Sequence, residues 1–182
     1  MKTLNFKHFF LLAFFILCAT MTMNVGTRNQ ILETEAKIAK MVDPKQLVCL
    51  ATAIYYEAGR ESFAGKTAVA RVVMNRVNHG FASNPCKVVY QTTTKTTIDQ
   101  YSQSEVKVKL CQFSWVCEGK GKPNNSPTYQ TALNIAYNVL AYDAYKDVVP
   151  KSTLFFHNLT VDPMWPYRKV KQIGNHIFYS KK

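Results

Sequence analysis

The sequence is short of acidic residues. Only 11 Asp and Glu stand against 23 Lys and Arg, which leaves a formal net charge of +12. A surplus of this size favours a polyanionic partner, such as nucleic acid, anionic lipid or a bacterial cell wall. Because acidic residues are few, each of them can be considered separately as a candidate catalytic residue.

The chain also lacks the length for two large domains, since 182 residues are enough for one core. It lacks the composition of a disordered protein, because 47% of its residues are hydrophobic and 19% are charged. No internal repeat is present, and low complexity is confined to the threonine cluster at Thr92–Thr97. We therefore expect one folded domain.

A long apolar run lies at the N-terminus. Phe9–Ala19 contains no charge, follows two lysines, and has the length of the hydrophobic region of a signal peptide, although no A-x-A cleavage site is visible. The run is too short to predict a transmembrane helix with confidence. We interpret residues 1–25 as a signal peptide, or as an uncleaved anchor that holds the protein to the membrane through residues 9–25. A linker over residues 26–41 and a folded domain over 42–182 follow, and we expect export to the periplasm, cell wall or extracellular space.

Four cysteines remain after the signal, an even number in a chain expected to reach an oxidising compartment. Of the three ways to pair them, the favoured bonds are Cys111–Cys117, which closes a short loop, or a bond from Cys86 to this loop. Cys49 lies in an apolar helical stretch and is interpreted as a buried free thiol. No C-x2-C pair with nearby histidines is present, so no metal site is expected.

Apolar periodicity predicts helices in the first part of the domain. The first spans about 44–58, with Asp43 as N-cap, Pro44 at its first position and Gln46 reaching back to the cap. A second helix covers about 63–78, and a third opens at Ser126-Pro127. The third helix is expected to carry Leu133, Ala136, Tyr137 and Leu140 on one face.

Strands are predicted only near the C-terminus. Ser152–His157 has a strand pattern, and Lys169–Ile173 and His176–Ser180 flank Gly174-Asn175, which is typical of a two-residue hairpin turn. The stretch from 83 to 125 has little periodicity, with loops expected at Thr92–Thr97 and Gly119–Asn125. Irregular structure of this length usually belongs to a binding cleft. The order of elements indicates an α+β fold.

Glu57 is the acidic residue in the most apolar setting. It follows Ile54 by three residues and Leu50 by seven, so its carboxyl group lies beside the apolar stripe of the first helix. Desolvation there would raise the carboxyl pKa, and an acid that is still protonated near neutrality is what a glycosidase needs. The alternatives are an ion pair with Arg60 or Arg76, or escape to solvent at the helix end.

Several stretches, in order along the chain, carry a family resemblance. They are Ala53–Ser62, Gly65–Val77, Pro85–Gln91, Cys111–Gly119, Phe156-His157, Pro163–Trp165 and Ile173–Tyr179. Together they resemble the SleB/CwlJ family of cell wall hydrolases over about residues 47–180. Separate motifs in the right order are far more specific than any single one of them.

The resemblance implies a compact lysozyme-like domain, with helices first and a small C-terminal antiparallel sheet. It implies cleavage of peptidoglycan glycan strands, with no cofactor, by a catalytic domain over residues 42–182 in which Glu57 is the acid. Where the family commonly reads Glu-Ala-Arg-Gly-Glu, this chain exchanges Arg and Gly at Gly59-Arg60, so the turn after the acid can differ. Glu61 is either a second carboxylate of the active site or a structural charge near Ser62.

Aromatic and amide side chains offer flat faces to pyranose rings and hydrogen-bond partners to hydroxyl and N-acetyl groups. On this basis the expected substrate-binding residues are Tyr56, Gln112, Phe113, Ser114, Trp115, His157 and Trp165. Core packing is the alternative for Phe113 and Trp115, and a structural histidine is the alternative for His157. Asn75 and Arg76 are expected to brace the cleft, with pairing of Arg76 to Glu57 as the alternative.

The sequence thus predicts an exported, monomeric peptidoglycan glycosidase that cuts between N-acetylmuramic acid and N-acetylglucosamine. We expect a lytic transglycosylase that uses Glu57 as both acid and base. A muramidase, in which water replaces the sugar hydroxyl, is the nearest alternative. A non-catalytic wall-binding or virion component is a second, and the export signal argues against a nucleic-acid partner.

Overall fold

The computed structural model describes residues 25–38 and 41–181, and the chain divides into two units, Met1–Met41 and Val42–Lys182. In the first unit, residues 25–38 are helical (α1). The apolar run that we interpret as an export signal lies outside the described residues. Among the helices that are described, none has both the length and the apolar character needed to cross a membrane.

The second unit combines helices with two small antiparallel sheets. Its helices are α2 (Pro44–Ala58), α3 (Phe63–Asn78), α4 (Pro85–Val89), α5 (Ser114–Cys117) and α6 (Pro127–Tyr142). Its strands are β1 (Thr92–Ile98), β2 (Glu105–Cys111), β3 (Thr153–Asn158), β4 (Arg168–Ile173) and β5 (His176–Ser180). The predicted α+β class is confirmed.

The three long helices begin at polar caps. The side chains of Asp43, Ser62 and Ser126 each accept a hydrogen bond from a backbone N–H in the first turn of α2, α3 and α6. The Gln46 side chain also donates to Asp43 at 3.2 Å, as the sequence predicted. Local chemistry therefore sets where these helices start.

The main core surrounds α2, which packs against α3, α4 and α6. Leu50, Ile54, Val73 and Ile135 are among the side chains that are buried there. Burying an aliphatic side chain of this size contributes roughly 1.5–3 kcal/mol. The central position of α2 fixes the C-terminal end of this helix, where Glu57 lies.

The buried face of α6 differs from the prediction. The fully buried residues are Tyr129, Ala132, Ile135, Ala136 and Val139, whereas Leu133, Tyr137 and Leu140 are only half-buried. Leu133 and Leu140 still pack against the main core, so the predicted face lies at the edge of the buried one and shares only Ala136 with it. Apolar residues surround most of this helix, so their periodicity does not select the face that meets α2.

The prediction of a loop at Thr92–Thr97 is also wrong. These residues belong to β1, which pairs antiparallel with β2 in a register that runs from Thr92 opposite Cys111 to Ile98 opposite Glu105. Every residue of β1 is exposed, so no alternation of apolar and polar residues marks the strand. Only the β-branched threonines carried a strand signal.

The second sheet has the strand order β3-β5-β4, and all its pairs are antiparallel. Its strands begin and end within one residue of the predicted limits, and Gly174, at φ +56°, lies in the predicted turn. Phe178 of β5 points towards α3 and joins Ala68, Val72 and Val149 in a second, smaller core. Because side chains alternate along a strand, Ile177 and Tyr179 lie on the opposite, outer face.

Two disulfides link elements of the domain, Cys49–Cys86 and Cys111–Cys117. The second is one of the two bonds that the sequence favoured. Two other predictions are wrong: Cys49 is not a free thiol, and Cys86 is not bonded to the loop at Cys111–Cys117. Packing of α2 against α4 brings the Cα atoms of Cys49 and Cys86 within 5.1 Å of each other. A contact across 37 residues leaves no local pattern in the sequence.

Candidate active site

A cleft of about 700 Å³ opens where α2 ends. Its walls come from the last turn of α2, the turn before α3, the first turn of α6, the end of β3 and the β4–β5 turn. The lining residues are Tyr55, Tyr56, Glu57, Gly59, Arg60, Glu61, Thr128, Asn158 and Asn175. The cleft is thus not built from residues 83–125, where irregular structure was expected to form it.

Glu57 is half-buried and lines this cleft in the last turn of α2. Desolvation by burial is the main cause that raises the pKa of its carboxyl group from the ordinary 4.5 to about 7. The negative charge of Glu118 acts in the same direction. A carboxylic acid that keeps its proton close to neutral pH can donate it to a substrate.

Two buried side chains hold the pKa of Glu57 below what desolvation alone would produce. The first is the indole N–H of Trp115, and the second is the positive charge of Arg76. The Trp115 N–H interacts with the carboxyl group without reaching standard hydrogen-bond geometry, and it has no other partner among the residues that the structure describes. Arg76 makes no ion pair with Glu57 and acts through the field of its charge.

Aromatic rings form the wall beside Glu57. Tyr56 stacks on Trp115 with ring centroids 4.9 Å apart, and its hydroxyl donates to the backbone oxygen of Gly121 at 3.0 Å. Tyr55 meets Tyr129 edge to face at 5.9 Å. These contacts give the wall a fixed shape before any ligand is bound.

Asn75 and Arg76 are hydrogen-bonded to the chain at the start of β3, the strand that ends at the cleft residue Asn158. The Asn75 amide donates to the backbone oxygens of Pro150 and Thr153, both at 3.0 Å. Arg76 Nε donates to Leu154 at 2.7 Å. The two side chains thereby tie α3 to the start of β3.

Glu61 lies in the same cleft but is engaged with the β4–β5 turn. Its carboxylate accepts one hydrogen bond from the backbone N–H of Asn175 at 3.2 Å and another from the Asn175 side chain at 3.0 Å. A side chain on Gly174 would collide with this carboxylate, which explains a glycine at that position. The contacts favour the structural interpretation of Glu61 over a catalytic one.

The exchanged Gly59-Arg60 pair has a local reason. Gly59 continues in right-handed helical geometry, and a Cβ there would lie 2.5 Å from the backbone oxygen of Tyr55. The turn therefore needs glycine directly after Ala58. Arg60 is exposed and lines the cleft, where it adds a positive charge.

The remaining predicted substrate-binding residues are scattered. Phe113 and Trp115 are buried in the main core, although Trp115 also contacts the wall of the cleft. Ser114 is exposed, and Gln112 lines a separate cavity of about 280 Å³ beside Cys111. His157 and Trp165 contact each other on the outer face of the β3–β5–β4 sheet, outside the residues that line the cleft.

Sequence reasoning missed four residues of the cleft: Tyr55, Thr128, Asn158 and Asn175. Tyr55 adjoins the acid and was within reach of the aromatic argument. The other three lie in a helix start, a strand end and a hairpin turn, and only the folded chain brings them together.

Among the described residues, no group of three or more His, Cys, Asp and Glu side chains is placed to hold a metal ion.

Residues 60–179 match the family model described as Cell Wall Hydrolase. No curated protein matches the chain. Among solved structures, the catalytic domain of SleB from Bacillus cereus is 23% identical with a TM-score of 0.53, covering 76% of this chain and 91% of that one. The catalytic domain of the germination-specific lytic transglycosylase SleB from Bacillus anthracis is 22% identical with a TM-score of 0.54, covering 76% of this chain and 97% of that one. At this identity the two likenesses show a shared fold.

Proposed function

The chain belongs to the cell wall hydrolase family, and on that premise we propose that it cleaves the glycan strands of peptidoglycan with Glu57 as acid and base. The bond cut is the one between N-acetylmuramic acid and N-acetylglucosamine. The family match begins at residue 60, so the role of Glu57 rests on the geometry of the cleft. The observation that carries it is a half-buried carboxyl group in a cleft with a pKa of about 7.

In the first step, protonated Glu57 gives its proton to the bridging oxygen, and the C–O bond to the departing sugar breaks. The acetamido group of the substrate stabilises the oxocarbenium-like centre that is left. Glu57, now a carboxylate, takes the proton of the C6 hydroxyl as that oxygen attacks C1. The product carries a 1,6-anhydro ring, and Glu57 returns to its protonated form.

A single acid suits this cleft because its other carboxylate is engaged. Both oxygens of Glu61 accept hydrogen bonds from Asn175, so this group is held towards the hairpin turn. A hydrolytic mechanism with two carboxylates would need the second one free to activate water or to attack the sugar. The engagement of Glu61 therefore supports a mechanism with Glu57 as the single acid, and the products decide between the C6 hydroxyl and water as the attacking group.

Export of the protein is part of the same proposal. Two disulfides within one small domain are typical of proteins that fold in an oxidising compartment. Peptidoglycan lies outside the cytoplasm, so enzyme and substrate would meet there. We place the site of action in the periplasm, the cell wall or the extracellular space.

Mass spectrometry of fragments released from purified peptidoglycan tests the reaction. We expect muropeptides with 1,6-anhydro ends, each lighter by one water than the hydrolytic product. Fragments with reducing ends would show a muramidase instead. Binding to peptidoglycan without any released fragment would overturn the enzymatic proposal in favour of a wall-binding protein.

A further inference from the structure

The outer face of the β3–β5–β4 sheet carries a cluster of aromatic rings that the proposed reaction does not use. We call it the outer platform, and its residues are Phe155, His157, Trp165, Tyr167 and Tyr179. Phe155 stacks on Tyr167 with centroids 4.3 Å apart, and His157 stacks on Tyr179 at 5.2 Å. Trp165 lies within 6 Å of the other four rings.

The outer platform is rigid and reachable from solvent. His157 is hydrogen-bonded through one ring nitrogen to the backbone oxygen of Asn158 and through the other to the Tyr179 hydroxyl, both at 2.9 Å. Trp165 keeps 36% of its surface exposed. An exposed indole on a fixed aromatic base presents an apolar face of the kind that a pyranose ring covers.

Positive charge lies directly beside these rings. The strand register places Phe155, Tyr179 and Lys169 opposite one another across β3, β5 and β4, so their side chains share the outer face. Residues 163–182 contain five Lys and Arg, of which Lys171 lies on the other side of the sheet, and the acidic residue nearest to Trp165 in the sequence is Asp162. The outer platform therefore suits a sugar polymer that carries carboxylates.

The outer platform also adjoins the cleft. Asn158 lines the cleft, and His157 precedes it on the same strand. Phe155 lies two residues further, which is about 7 Å along a strand. The outer platform and the cleft are therefore neighbours along β3, on opposite sides of its pleat.

We propose that the outer platform is a second, non-catalytic binding site for the anionic glycan strand of peptidoglycan. Trp165 stacks on a sugar ring, and Lys169 pairs with a carboxylate of the peptide stems that the strand carries. The identity of the polymer rests on the proposed function, whereas binding at the outer platform does not depend on the chemistry of Glu57.

Cosedimentation with insoluble peptidoglycan on ice tests the proposal, with the full chain carrying Glu57→Gln as parent. Chitin serves as an uncharged polymer of the same ring type. Trp165→Ala should weaken binding to both polymers roughly 2- to 10-fold. Lys169→Gln should weaken binding to peptidoglycan alone, and its effect should fade at high salt.

Lys171→Gln is the matched control, because it removes the same charge from the same strand on the other side of the sheet. Its partner in the register is the inward-facing Phe178, and its Nζ donates to the backbone oxygen of Val148. If Trp165→Ala and Lys169→Gln bind as Lys171→Gln does, the rings merely cover the sheet and the proposal is wrong. A parent that binds neither polymer also refutes it, whereas a Glu57→Gln protein that cleaves at the wild-type rate contradicts the proposed function alone.

Thermal unfolding of each variant separates lost binding from lost folding. Lys169→Gln changes an exposed side chain, so it keeps the test valid even if Trp165→Ala is destabilised.

Discussion

Replacing Glu57 by Gln should strongly reduce cleavage and, above neutral pH, stabilise the folded protein. Both effects follow from the same feature, a carboxyl group placed where ionisation is unfavourable. In the folded protein its pKa is about 7, compared with an ordinary value of 4.5. A group maintained for catalysis at the expense of stability shows this pattern.

The size and sign of the stability effect follow from linkage. Between pH 4.5 and 7 the folded state holds a proton on Glu57 that the unfolded state has released, so stability falls as the pH rises. The penalty is complete above pH 7, and the shift from 4.5 to about 7 corresponds to roughly 3 kcal/mol. Below pH 4.5 both states are protonated and the penalty vanishes. Glu57→Gln should therefore raise the free energy of unfolding at pH 8 and leave it nearly unchanged at pH 4.

The expected loss of activity is that of a missing general acid, about 10²–10⁴-fold. Release of soluble muropeptides from peptidoglycan measures it, and urea unfolding at pH 4 and pH 8 measures stability with the disulfides intact. Binding to insoluble peptidoglycan should survive, because the amide keeps the shape of the side chain.

Glu61→Gln is the matched control, since it makes the same change four residues away in the same cleft. Glu61→Gln weakens the contact with Asn175, which should lower the free energy of unfolding by about 1 kcal/mol. It should reduce activity much less than Glu57→Gln does. A Glu57→Gln enzyme near wild-type activity, with Glu61→Gln inactive, would refute the assignment of the acid. A stability difference that is equal at pH 4 and pH 8 would refute the desolvation argument.

Two further predictions concern Trp115 and the disulfides. Trp115→Phe removes the N–H that lowers the pKa of Glu57, so this pKa should rise. The alkaline limb of the pH profile of kcat/KM should then move to higher pH. A limb that does not move would show that the indole does not act on Glu57. Cys49→Ser should lower the free energy of unfolding by about 4 kcal/mol and Cys111→Ser by about 2 kcal/mol, because the first bond closes the longer loop. Urea unfolding under non-reducing conditions measures both values. The reverse ranking would contradict this loop-entropy argument. Peptide mapping of the exported protein should find both bonds, and four free thiols would contradict both the pairings and the inference of export.

Features that depend on neighbours in the sequence were predictable. Asp43, Ser62 and Ser126 cap their helices with their own side chains, so the helix starts could be located from short motifs. The position of Glu57 beside the apolar stripe follows from helical spacing alone, and the burial that raises its pKa agrees with that expectation. Gly174-Asn175 marked a hairpin turn because few residues adopt its backbone geometry.

Features that depend on distant contacts had no such signal. Cys49 meets Cys86 because α2 packs against α4, and Glu61 meets Asn175 across 114 residues. His157 and Trp165 matched the aromatic pattern of a sugar site, yet the pleat of β3 turns His157 away from the cleft towards the outer face. The sequence of a helix or strand specifies which of its side chains share one face. Which faces meet is decided by the packing of the helices and strands, because the interactions between them join residues that are far apart along the chain.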